Sequence, residues 1–113
     1  MSGLMSKRKG ARGERELAHL LTDYGIPTRR GQQFKGTPDS PDVAIEGHPE
    51  WHIEVKRAER FSPYAALEQA EDDIKSSLFK TVVAVFHKAN KKPWIVVLYA
   101  SDFAPMLRAR IRE

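Results

Sequence analysis

Apolar and polar positions alternate most cleanly in Trp51-His52-Ile53-Glu54-Val55-Lys56-Arg57. Trp51, Ile53 and Val55 fall on one face of an extended strand, and His52, Glu54 and Lys56 on the other. Earlier in the chain, Leu17, Leu20, Leu21 and Tyr24 recur at helical spacing, which predicts a helix from about Ala11 to Tyr24, stopped by Gly25. Residues 1–9 are small and polar, then Lys7-Arg8-Lys9, and read as a flexible basic arm. Ile26 to Phe34 is a short extended segment, and Lys35-Gly36-Thr37-Pro38-Asp39-Ser40-Pro41 is a loop by its turn residues. Asp42-Val43-Ala44-Ile45 follows as a strand, which Glu46-Gly47-His48-Pro49 turns back into the Trp51 strand as a hairpin.

Beyond Arg60, Ser62 and Pro63 suit the N-cap and first position of a helix running to about Phe79, with Tyr64, Leu67, Ile74 and Leu78 as its core stripe. Thr81 to Phe86 and Trp94 to Tyr99 are continuous β-branched runs on either side of an Asn90-Lys91-Lys92-Pro93 turn. Such runs suit strands covered on both faces, inside a sheet flanked by helices. Ser101 stands where it can cap a last helix through about Ile111, with Phe103, Met106, Leu107 and Ile111 as anchors. The order α-β-β-β-α-β-β-α predicts an α/β sandwich around a mixed sheet.

A chain of 113 residues with 41% apolar composition supports one folded domain. The absence of cysteine excludes a disulfide scaffold, thiolate catalysis and a cysteine zinc site, and suits a reducing cytoplasm. No apolar run is long enough to span a bilayer, and Met1 to Met5 is too short and polar for a signal peptide. Charge changes the picture more. Residues 1–35 carry eight basic side chains (Lys7, Arg8, Lys9, Arg12, Arg15, Arg29, Arg30, Lys35) against Glu14, Glu16 and Asp23, a local excess above the +4 of the whole chain. Clustered Lys and Arg on a small domain point to a polyanion, most simply a nucleic-acid backbone.

Candidate chemistry starts from Glu54 and Lys56, whose Cβ atoms stand about 6–7 Å apart on one strand face. That pair reads either as a solvated face with a weak ion pair or as a metal-binding carboxylate beside a lysine that acts on a water. Asp42 stands at the entrance of the neighbouring strand; Asp39 is a rival, but lies in the loop with no apolar strand behind it. Glu14 lies one turn before Leu17 and two before Leu21, on the buried stripe. Glu16, aligned with Leu20, competes with it, and either also suits an ordinary first-turn Glu favoured by the helix dipole. Carboxylates without His or Cys partners are hard oxygen ligands that favour Mg²⁺ or Mn²⁺. Phosphodiester hydrolysis uses such a metal to polarise the phosphoryl oxygen and lower the pKa of a water, and a lysine adds positive charge near the developing negative one.

Pro41-Asp42, a short strand and turn, and then Glu54-Val55-Lys56 resemble the PD-(D/E)XK nuclease superfamily. The stretch Lys9-Gly10-Ala11-Arg12-Gly13-Glu14-Arg15-Glu16-Leu17 resembles the opening of archaeal-type Holliday junction resolvases and their phage-encoded relatives. The resemblance covers residues 7–100. It implies a restriction-endonuclease-like fold, with one nuclease domain over residues 10–113 behind the 1–9 arm. It also implies a catalytic set of Glu14, Asp42, Glu54 and Lys56, in which Asp42, Glu54 and Glu14 bind Mg²⁺ and Mn²⁺ substitutes. Arg15 corresponds to the family's arginine beside the first-helix Glu, Arg29 or Arg30 to its DNA-contacting strand arginine, and Gln69 to a glutamine on the helix after the E-x-K strand. Lys7, Arg8, Lys9, Arg12 and Lys35 complete the basic DNA-binding set.

The function this implies is a metal-dependent endodeoxyribonuclease acting on branched DNA, a four-way junction resolvase. It would work as a homodimer, because opposed cuts need two symmetric sites, in the cytoplasm of a prokaryotic cell or phage-infected host. Alternatives within the fold are a nuclease for flaps, nicks or linear DNA, and a DNA-binding module that does not cut. One departure is visible: the chain passes from the E-x-K strand almost directly into Ser62-Pro63 and a long helix, so family elements there are shortened. His19 and His52 have the chemistry to touch metal or phosphate but are read as surface or supporting residues, Trp51 and Trp94 as core aromatics, and Phe34 and Phe61 as candidate wedges beside the basic face.

Overall fold

In the computed structural model, which describes the backbone of residues 2–30 and 41–113 and the side chains of residues 10–29 and 41–113, the expected element order is observed. Five strands, β1 (Thr28–Arg30), β2 (Val43–Ile45), β3 (Trp51–Arg57), β4 (Val82–Lys88) and β5 (Ile95–Val97), form one sheet in the order β1-β2-β3-β4-β5. β3 and β4 run parallel and every other pairing is antiparallel, so the sheet is mixed. Helix α1 (Ser2–Asp23) lies on one face, where Leu17 and Leu21 bury Val43 and Ile53. Helix α2 (Pro63–Ile74) crosses from β3 to β4 over the other face, where Leu67, Ala70 and Ile74 pack on Val83 and Val85. Helix α3 (Ala100–Arg112) closes the order. The result is the α/β sandwich expected of a restriction-endonuclease-like domain.

The alternation along β3 thus has both faces in use. Trp51, Ile53 and Val55 join the α1 core, and the polar face of His52, Glu54 and Lys56 turns toward α2. His52, expected at the surface or in support, is completely buried. A strand covered by α1 on one side and by the crossover helix α2 on the other leaves no solvated face near its middle.

Gly25 ends α1 as its sequence predicts. With φ at 87°, it donates its N–H to Thr22 O and lets Ile26 N–H reach Leu21 O, both at 2.9 Å. These two bonds are the Schellman arrangement that a left-handed glycine permits. The start differs from expectation: α1 begins at Ser2 rather than near Ala11, so residues 2–9 continue its helical backbone. Leu4, Met5, Lys7, Arg8 and Lys9 are good helix formers that need no buried face to extend an existing helix. Tyr24, expected in the buried stripe, is exposed, because it stands in the capping turn where the helix leaves the sheet.

Helix α2 stops at Ile74 instead of Phe79. Ser77 accepts the N–H groups of Phe79 and Lys80 through its hydroxyl at 3.2 and 3.1 Å, offering the backbone an alternative to another helical turn. Leu78, beyond that end, is therefore exposed, Tyr64 in the first turn is exposed as well, and the stripe is Leu67, Ala70 and Ile74. Pro63 takes the first-turn position expected of it, whereas Ser62 makes no side-chain cap bond. β4 is buried on both faces as expected, but β5 is the sheet edge, and Ile95 and Val96 face solvent. The cap of α3 is Tyr99 rather than Ser101, and no residue of α3 is buried. Among the described residues, no helix is long and apolar enough to cross a membrane. The side chains of Lys7, Arg8, Lys9 and Arg30, and the whole of Phe34, Lys35 and Asp39, lie outside the described residues.

Candidate active site

Where β2 begins, its backbone and side chain are both tied to β3. The Asp42 N–H donates to Ile53 O at 2.9 Å, and Asp42 Oδ2 accepts the Val55 N–H at 2.9 Å. This places the Asp42 carboxylate beside Glu54 on the adjoining strand, as the hairpin pattern predicts. Burial raises the Asp42 pKa, while the Val55 N–H bond and the charge of Lys56 work against that rise and Asp73 adds to it. Glu54 is pushed up to about 8, by burial first and then by Asp42; Asp73 and Glu14 add to the rise and Lys56 opposes it. Lys56 is exposed, two residues beyond Glu54 on the same strand face.

Four elements therefore send a carboxylate into one electrostatic neighbourhood: Glu14 from α1, Asp42 from β2, Glu54 from β3 and Asp73 from α2. Glu14 is only 4% exposed, on the stripe shared with Leu17 and Leu21. Its neighbour Gly13 allows the approach. A Cβ there would stand 2.9 Å from Arg57 Cβ and 3.2 Å from Val55 Cγ1, so only hydrogen lets α1 lie so close to β3. Glu16 has a different task. It accepts from Arg57 Nε at 3.3 Å and pairs with Arg12 Nε at 3.2 Å. Arg57 in turn donates to Asn90 Oδ1 at 3.1 Å, and the Asn90 N–H donates to Glu59 Oε2 at 2.6 Å. This chain of bonds holds α1 against the ends of β3 and β4, and it separates the two rival glutamates by partner.

Asp73 enters without having been assigned from the sequence, and His52, read there as a surface or supporting residue, stands against Glu54. Asp73 is half-buried on the sheet-facing side of α2, and its charge acts on both Asp42 and Glu54. His52 Nε2 lies 3.5 Å from Glu54 Oε2, and ligand atoms of His52, Glu54 and Asp73 all fall within 4.8 Å of one another. A signal for Asp73 was available: it stands three residues after Ala70 and one turn after Gln69, on the side of α2 that closes over the E-x-K strand. Gln69 itself is exposed.

Of the basic residues expected at DNA, Arg12, Arg15 and Arg29 are exposed, and Arg12 is paired with Glu16. Phe61 does not stand free as a wedge. It stacks on His87 with ring centroids 4.2 Å apart and packs on the α2 core, while His87 Nε2 donates to Ala58 O at 2.6 Å. Trp51 and Trp94 pack on the α1 core as expected. The carboxylate set fits a hard divalent cation, because the mutual repulsion and burial that raise Asp42 and Glu54 are what such an ion relieves.

A family model described as archaeal Holliday junction resolvase (Hjc) matches residues 5–103. Neither the comparison with curated proteins nor that with solved structures gives a match.

Proposed function

We propose, from the premise that the chain belongs to the archaeal Holliday junction resolvase family, that it is a metal-dependent endodeoxyribonuclease that cuts four-way DNA junctions as a homodimer. The observation that carries the reading is the convergence of Glu14, Asp42 and Glu54 from three elements, beside Lys56, in a chain whose basic excess lies in its first third. Asp42, Glu54 and Glu14 would hold Mg²⁺, with Mn²⁺ able to substitute. The bound ion supplies Lewis acidity at the phosphoryl oxygen and a water of lowered pKa.

The protein's own groups do the rest. The Val55 N–H fixes Asp42, so the carboxylate faces its partner without rearrangement. Lys56, exposed at the open end of the site, places positive charge where phosphorane charge develops. Arg15, Arg29 or Arg30, Arg12, Lys35 and the Lys7-Arg8-Lys9 segment supply phosphate contacts, and Gln69, exposed on α2, adds a further polar contact.

A two-fold symmetric substrate asks for two symmetric sites. The exposed apolar row of Phe103, Leu107 and Ile111 on α3, together with the exposed Ile95 and Val96 of the edge strand β5, supports self-association through the C-terminal part of the chain. The substrate places the enzyme with DNA in the cytoplasm of a prokaryotic cell or phage-infected host. Labelled four-way junction, flap, linear duplex and single strand, each incubated with Mg²⁺, Mn²⁺ or EDTA, test the reading. Paired symmetric nicks in the junction alone are expected, with none in EDTA. Preferential cutting of flaps or linear ends would reassign the substrate, and activity in EDTA would remove the metal.

A further inference from the structure

We propose that His52, Glu54 and Asp73 form a second divalent-cation position, beside the one built on Asp42 and Glu54 and closed by α2. The proposal rests on the nuclease reading above and adds to it a ligand set that crosses from β3 to the following helix. Two ligands bound at about 2.1 Å to one ion stand about 3.0 Å apart at right angles and about 4.2 Å apart across it. The His52 Nε2 to Glu54 Oε2 separation of 3.5 Å lies inside that range. The 4.8 Å span that contains all three ligand atoms needs a contraction of only some tenths of an ångström. Glu54 and Asp73 are half-buried carboxylates with the freedom to supply it.

Three further observations favour an ion over a simple His–Glu contact. A charge-assisted N–H···O bond closes to about 2.7–2.9 Å, and 3.5 Å is well outside it. His52 is fully buried, so its ring is held in place by β3 and α2 and cannot swing into solvent. The charges also call for it. Glu14, Asp42 and Asp73 act on Glu54 with Lys56 as the opposing cation, so once a first divalent ion has displaced the Glu54 proton the set is still negative and a second ion offsets it. Glu54 can bridge, one oxygen to each ion, as carboxylates do where two ions stand about 3.5–4 Å apart. The imidazole makes this position softer than an all-oxygen one, so it takes Mn²⁺ in preference to Mg²⁺.

Calorimetric titration of the DNA-free full chain with Mn²⁺, paired with electron paramagnetic resonance of the bound ion, tests this without reference to cleavage. Wild type is expected to bind two Mn²⁺ per chain, and Asp73→Asn and His52→Gln one each. The spin–spin coupling of a close ion pair should vanish in both variants. Mg²⁺ should compete away one Mn²⁺ more readily than the other in wild type. Since His52→Gln removes a fully buried ring and puts folding itself at stake, Asp73→Asn, half-buried and isosteric, decides alone once its circular dichroism matches wild type. One ion or none in wild type, or two ions retained in Asp73→Asn, overturns the proposal. Two ions in a protein that cuts no junction would support the site and sink the resolvase reading; junction cutting with one bound ion would do the reverse.

Discussion

Around β2 and β3 the molecule buries charge, and around β5 and α3 it exposes hydrocarbon. Glu14, His52 and most of Glu54 are withdrawn from water at the first place. Ile95, Val96, Phe103, Leu107 and Ile111 stand in water at the second. Both arrangements cost the isolated chain stability: one desolvates carboxylates without full compensation, the other leaves apolar area unburied. On the reading proposed above, a cation completes the first and a second copy of the chain the second. α1 and α3 make the contrast concrete. Both carry apolar residues at helical spacing, yet Leu17 is fully buried and Leu107 is 46% exposed.

The largest expected effect attacks the buried charge. Asp42→Asn and Glu54→Gln should abolish junction cleavage while binding to the same junction in EDTA stays close to wild type, since the basic surface remains. Lys56→Ala should lower single-turnover rate by about 10²–10⁴-fold, the range for a residue placed to move or stabilise charge at the reacting atoms. Full cleavage by Asp42→Asn would break the assignment of that cluster, and an effect of Lys56→Ala on affinity alone would reduce the lysine to a phosphate contact.

Next comes the pair of glutamates on α1. Glu14→Gln should lose most activity, because its carboxylate acts on Glu54 from a buried position. Glu16→Gln should keep most activity but lower the melting temperature, since it weakens the tie to Arg57, a nearly buried guanidinium. Rate and melting curves on the two variants give both answers, and the opposite ranking of rates would mean that α1 presents its other side to the metal.

Stability separates the two helices directly. Leu17→Ala should cost about 2–5 kcal/mol in urea unfolding. Leu107→Ser should cost within about 0.5 kcal/mol at dilutions where the protein is monomeric. The same Leu107→Ser change should shift the chain toward monomer in light scattering at higher concentration. An equal loss from both substitutions would show that α3 is packed within the monomer and would remove the case for self-association there.

The remaining test is one of pH. Glu54 rises from 4.5 to about 8 in the folded protein, so between those values the native state holds a proton that the unfolded chain has lost. Linkage then makes stability fall as pH rises through that window and level off above it. The metal-free melting temperature should decline from pH 5.5 to pH 8, and saturating Mn²⁺ should raise it more at pH 8 than at pH 5.5, since the ion displaces that proton. A melting temperature that climbs over the same range without metal would mean that Glu54 is ionised and already neutralised in the folded chain.

Much of this was legible in the linear pattern. Strand alternation through Trp51 to Arg57, the Leu17 and Leu21 stripe, the Gly25 stop and the Pro63 start are all consequences of backbone periodicity and φ preference. Those forces act within a few residues, so one segment suffices to show them. The position of Asp42 beside Glu54 was legible too, because a hairpin makes neighbours of residues close in sequence.

The remainder needed the folded chain. Helical spacing put Glu14 on the Leu17 and Leu21 stripe, but what parts it from Glu16 in the fold is that Gly13 lets α1 close on β3 and that Arg57, 41 residues away, takes Glu16. Asp73 joins the carboxylates only because the β3–α2–β4 crossover lays α2 over the polar face of β3. The same crossover buries His52, which alternation alone had turned toward solvent. α3 shows the converse: its spacing of apolar residues specifies a face that prefers burial, and the tertiary structure leaves that face uncovered. Periodicity is a property of one segment, whereas burial and pKa are properties of every segment that packs against it, so the first can be read along the chain and the second only across it.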